Sequence, residues 1–183
     1  MERADSEDFG ETQAVYLSDR EGDIYDYFER ASTKGRMVIC RRVHNRKVAA
    51  DNGAETIQEF LNNQEVAGRY SVNVPKDYHT GREMRVAEME VRFGTARILC
   101  SQGKSKTSTP MLKLQLVSAR EINAPEGVKL LNWQLVTNLA VPDYEAARTC
   151  LAWYSRRWLI EMFHYTLKSA ARLRSCRRIR RIA

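Results

Sequence analysis

Two stretches in the middle of the chain alternate residue by residue, and this alternation limits the fold more than any other feature. In "VAEMEVRF", Met89, Val91 and Phe93 interleave with Glu88, Glu90 and Arg92. In "LKLQLV", Leu112, Leu114 and Leu116 interleave with Lys113 and Gln115. A period of two puts every apolar side chain on one face, so each stretch reads as a half-buried antiparallel strand. Gly94-Thr95 offers a turn from the first into "ARILC", and the polar "SQGKSKTSTP" reads as a loop.

The flanks read differently. "AVYLSD", Ala14 to Asp19, is a buried strand that ends in polar residues. "DIYDYFERAS" is a short helix, "RMVICRRV" a second strand, and "TIQEFLNNQ" a helix opened by a Thr56/Glu59 capping box. Downstream, "NWQLVTNLAV" is a strand stopped by Pro142, and Asp143 suits the N-cap of a long helix from about Tyr144 toward Ala170. The order is strand, helix, strand, helix, then antiparallel strands, then a long helix. It predicts an α/β core with a β-rich insertion. The divisions are an acidic segment 1–13, core 14–63, insertion 64–130, last strand and helix 131–171, and a tail 172–183.

With 183 residues the chain can bury one sizeable core, and 43% hydrophobic with 29% charged residues fits a globular chain rather than a disordered one. No apolar run approaches a membrane span, so no membrane partner is expected. "MERADSEDFGETQ" lacks the basic head and apolar centre of a signal peptide, so a cytoplasmic location is expected. Cys40, Cys100, Cys150 and Cys176 have no zinc-template spacing and read as free thiols. The net charge is +7, and "RLRSCRRIRRIA" contributes six arginines with no acid. Without that tail the charge falls to +1, so the body alone does not read as a nucleic-acid binder.

The stretch "YSRRWLIEMFHYTLK" raises the question of function. At ~100° per residue, Tyr154, Arg157, Glu161, His164 and Lys168 fall within an arc of roughly 80°, opposite Leu159, Ile160, Phe163 and Leu167. One reading is a solvated face whose Arg157–Glu161 pair contributes ~0.3–0.5 kcal/mol. The other is a site: Glu161 as a hard-oxygen Mg²⁺ ligand, with Tyr, Arg and Lys holding phosphate oxygens. That site needs carboxylates from other elements. Asp19 is the best candidate, because ligand sites of open α/β sheets lie at the carboxyl ends of strands. Asp19 is also suited to capping the helix that follows.

Together, "SDREGDIYDYF" and Tyr154-x2-Arg157-x3-Glu161-x6-Lys168 resemble the DDE transposases of bacterial insertion sequences. The likeness is to the insertion-sequence-four group, which includes the Tn-five-like transposases and has a Tyr-Arg-Glu-Lys signature. It covers about Ala14 to Ala170. The resemblance implies an incomplete RNase H-like core with an antiparallel β-rich insertion before a long C-terminal helix. It implies Asp19 and Glu161 as the second and third catalytic carboxylates, binding Mg²⁺ (or Mn²⁺) in a two-metal site for strand cleavage and transfer. Tyr154, Arg157 and Lys168 would contact DNA near the cut. Arg41 matches a DNA-contacting arginine of the family, or is a strand-end charge. Trp133 matches a tryptophan that stacks on a flipped base, or packs in the core.

The implied partners are transposon ends and target DNA, bound by dimers in a bacterial cytoplasm. The family's first catalytic Asp lies far upstream of the second, whereas 18 residues precede Asp19 here. The family's end-binding and dimerisation regions are expected to be missing here. The expectation is therefore a catalytic-domain fragment, inactive alone. The alternative is a non-catalytic nucleic-acid-binding remnant that acts through its arginine tail.

Overall fold

The structure is a computed structural model that describes residues 12–51, 53–76, 83–100 and 109–175, without the side chains of Glu161 and of 170–175. In chain order the elements are β1 (Val15–Ser18), a 3₁₀ turn (Arg20–Gly22), α1 (Tyr25–Thr33), β2 (Met37–Arg41), β3 (Val48–Ala49) and α2 (Ile57–Asn62). Then come β4 (Gly68–Val74), β5 (Arg85–Leu99), β6 (Met111–Glu121), β7 (Asn132–Thr137), α3 (Tyr144–Ser155) and α4 (Trp158–Ser175).

The fold is mixed α/β, built on one seven-stranded sheet ordered β1-β2-β7-β6-β5-β3, with β4 also pairing β5. β1 and β2 run parallel, as a strand–helix–strand unit requires, and the other pairs are antiparallel. The strands expected as an insertion are therefore continuous with the rest. β6 pairs β7 from Gln115 to Arg120, and β7 pairs β2 at Ile39–Arg41.

Each face of the sheet has its own core. Phe28, Val38, Cys40, Ile57, Phe60, Ile98, Leu114 and Leu116 pack under α1 and α2. Ile39, Met89, Val91, Val117, Leu135, Leu151 and Tyr154 pack under α3. This division explains why no turn forms at Gly94-Thr95, where the alternation slips. β5 runs unbroken, with Met89 and Val91 in the α3 core and Ala96 and Ile98 in the core of α1 and α2. The slip marks a change of covering layer. Gly94 serves a close approach instead: a Cβ there would stand 2.9 Å from Phe60 Cζ and from Gln64 Oε1.

The helix starts follow the local sequence. Asp143 Oδ1 accepts the Ala146 N–H at 2.8 Å, and Thr56 Oγ1 accepts the Glu59 N–H at 3.3 Å. The single long helix expected from Tyr144 does not form. Arg156 and Arg157 make a turn between α3 and α4. The amides of Arg156, Arg157, Leu159 and Ile160 each bond the carbonyl three residues back, at 3.0–3.2 Å, the tighter 3₁₀ pattern. Beyond it, Leu159, Ile160, Phe163 and Leu167 are about half exposed or more, so the expected apolar back of the helix is not packed. Among the described residues no helix is long and apolar enough to cross a membrane.

Candidate nucleic-acid interface

Asp19 follows the last residue of β1 and opens the 3₁₀ turn, but its side chain makes no capping bond. The carboxylate faces α3 and the turn after it. Tyr154 donates its hydroxyl to Asp19 Oδ1 at 3.1 Å, and Arg157 Nη2 stands 3.4 Å from Asp19 Oδ2. Burial pushes this carboxyl upward. The Arg20 amide, the Arg157 guanidinium, the Tyr154 hydroxyl and the charge of Arg41 outweigh burial and hold its pKa below the usual value. Tyr154 shifts the opposite way, raised first by burial and then by the Asp19 charge. The phenol therefore stays a protonated donor, and Asp19 an ionised acceptor, across the neutral range.

The strand alternation that divides the cores also aims the arginines. Arg41 ends β2 on the same face as Ile39, toward α3, and Arg42 points to the α2 side. There Arg42 Nε donates to Gln134 Oε1 at 2.7 Å, and Arg42 Nη2 to Gln58 Oε1 at 2.9 Å. Arg41 instead lines a cavity of about 430 Å³, together with Trp133, Tyr154, Arg157, Trp158 and residues 72–75 of the β4 end.

Four of the residues singled out in the sequence thus meet in one place, although they come from β2, β7, α3 and the turn after it. Trp133 packs partly against the α3 core and also lines the cavity. Tyr154 is only 6% exposed, so the stripe that begins with it is not a uniform solvent face. Lys168 is exposed on α4. Glu161 has its backbone in the first turn of α4, and its side chain lies outside the described residues.

Two contributors were not legible. Trp158, 52% exposed, lines the cavity, though it lies outside the stripe of Tyr154, Arg157, Glu161, His164 and Lys168. Asp23 is fully buried, and its Oδ2 accepts the Val43 N–H at 2.6 Å and the His44 N–H at 2.8 Å. Its Oδ1 pairs with Arg46. This carboxylate ties the turn after Asp19 to the segment after Arg41. Its place in "DREGD" was the available signal.

As a metal ligand Asp19 has the right oxygen chemistry, but Tyr154 and Arg157 engage both oxygens. Among the described residues no group of three His, Cys, Asp or Glu is placed to hold a metal ion. These residues therefore do not by themselves fit a two-metal centre. No family model matches the chain.

Proposed function

We propose that the chain binds DNA at this cavity, as part of the catalytic domain of a DDE-type DNA transposase. The observation that carries this reading is the convergence of Arg41, Trp133, Tyr154 and Arg157 on one cavity beside Asp19. The sequence resemblance implies the same four as DNA contacts, independently of the geometry. Two guanidiniums suit phosphate oxygens, and exposed indole faces suit an unpaired base. A volume of about 430 Å³ accommodates a nucleotide unit.

Magnesium or manganese, held by Asp19 and Glu161, belongs to the family reading, as do RNase H-like ancestry, a bacterial cytoplasmic setting and paired copies on two DNA ends. The described residues do not complete a metal site, so strand cleavage is not assigned to them. Binding, orientation of a phosphate and stacking of a base are what these side chains perform.

The test is fluorescence anisotropy with DNA carrying an unpaired overhang. Arg41→Ala, Arg157→Ala and Trp133→Ala are each expected to weaken binding about tenfold, as loss of a charged contact or a stacked base does. If those variants bind like the parent while deletion of 172–183 abolishes binding, the chain is instead a non-catalytic binder that acts through its arginine tail. In a Mg²⁺ nicking assay, cleavage that Glu161→Ala removes would overturn the expectation that the chain is inactive alone.

A further inference from the structure

We propose that Arg148, stacked on Tyr70, holds the phosphate of the nucleotide next to the one in the cavity, so that an unpaired DNA strand crosses Trp133 from one hollow into a second. This rests on the DNA-binding reading above and extends its footprint to residues that nothing in the sequence marked.

The second hollow has a volume of about 250 Å³ and includes Tyr70, Ser71, Arg148 and Ser155 in its lining. It shares Val72, Trp133 and Ser155 with the larger cavity, so the two are neighbours along one groove, with Trp133 common to both. The guanidinium carbon of Arg148 lies 3.5 Å from the centroid of the Tyr70 ring. A guanidinium stacked on an aromatic face keeps its in-plane N–H donors at the edge, the geometry that meets a phosphate. Among the described residues no carboxylate pairs with Arg148, so its charge is open to an anion.

Arg148 precedes Tyr154 by six residues on α3, about 9 Å along the axis. The offset is of the order of one nucleotide step plus the reach of an arginine side chain, and the shared Trp133 joins the two hollows. The groove then carries Arg148, Arg41 and Arg157 between Tyr70, Trp133, Tyr154 and Trp158. That alternation of cations and aromatic faces is how single strands are held without reading their sequence. A duplex has its bases stacked inward and cannot offer them to these rings.

The experiment is anisotropy at several salt concentrations with two labelled probes: a duplex with a long unpaired overhang, and the same duplex with one unpaired nucleotide. Arg148→Gln is expected to weaken the long-overhang complex about tenfold and to reduce its salt slope by about 0.7, the value for one phosphate of a single strand. The one-nucleotide complex should be unaffected. Arg148→Lys should keep the salt slope while losing part of the affinity, because it keeps the charge and gives up the flat stack. If Arg148→Gln binds the long overhang as the parent does while Arg157→Ala weakens both probes, this proposal fails and the DNA-binding reading stands. If Arg148→Gln and Arg148→Lys both lower the melting temperature and weaken both probes alike at unchanged slope, Arg148 only holds α3 against β4 and the proposal fails. If the parent binds neither probe, the DNA-binding reading falls as well.

Discussion

Asp23→Ala tests the frame that sets Asp19 and Arg41 relative to each other. The side chain is 0% exposed, and its partner Arg46 is 9% exposed. Truncation leaves a nearly buried guanidinium without its counter-charge, and the Val43 and His44 amides without their acceptor. Breaking a buried pair by removing one partner costs about 3–5 kcal/mol. The two orphaned amides cost ~1–3 kcal/mol each if they stay dry. The contributions do not add, because the segment after β2 gains water by moving outward, and that movement relieves all three groups together. The expected loss is therefore about 4 kcal/mol, a large share of the stability of a domain this size. Arg46→Ala should cost less, since Asp23 keeps both amide partners. The double variant should lose less than the two single losses combined. Urea unfolding followed by tryptophan fluorescence measures all three, with an unchanged m-value expected if only stability moves. A loss below about 1 kcal/mol for Asp23→Ala, the range of a surface substitution, refutes the reasoning.

Two further outcomes follow from the same geometry. Gly94→Ala should cost about 1–3 kcal/mol by overpacking, because the new methyl meets the Phe60 ring edge and the Gln64 side chain at 2.9 Å; stability equal to the parent in urea would show that α2 does not press on β5. Arg157→Gln and Tyr154→Phe should each raise the Asp19 pKa, read by carboxyl carbon chemical shifts, since each removes a group that favours the ionised form. A folded-state pKa below the unfolded value contributes stability that is present above the unfolded pKa and is lost as pH falls through the folded one. The Asp19 side chain is 42% exposed, so solvent screening keeps this contribution small and the pKa itself is the better readout. A pKa unmoved in both variants means that neither contact forms in solution.

What the sequence revealed and what it hid divide by range. The caps at Asp143 and Thr56 were legible because one side chain and an amide three residues on decide them. β5 and β6 were legible from their alternation, whereas β3 and β4 carried no reading as strands. The continuity of β5 through Gly94 was not legible, because the slip in its pattern comes from α2 and α3 covering opposite faces, which no local window contains. The turn between α3 and α4 was hidden for the same reason. "YSRRW" holds neither Gly nor Pro, and its helical pattern runs on without a stop.

The cause of that turn lies in the contact it permits. In a continuous α-helix Arg157 would point about 60° away from Tyr154. Three residues per turn brings positions i and i+3 into line. The amides at the junction take that spacing, which sets Arg157 beneath Tyr154, its guanidinium carbon 6.0 Å from the ring centroid. Both side chains then reach one carboxylate, Tyr154 to Oδ1 and Arg157 to Oδ2 of Asp19. The same tightening ends the angular register on which the predicted stripe relied, so residues on α4 no longer share a line with Tyr154. The part of the stripe that survives is the pair nearest the turn, where the departure from the ideal helix aligns two side chains on a residue 135 positions away from Tyr154.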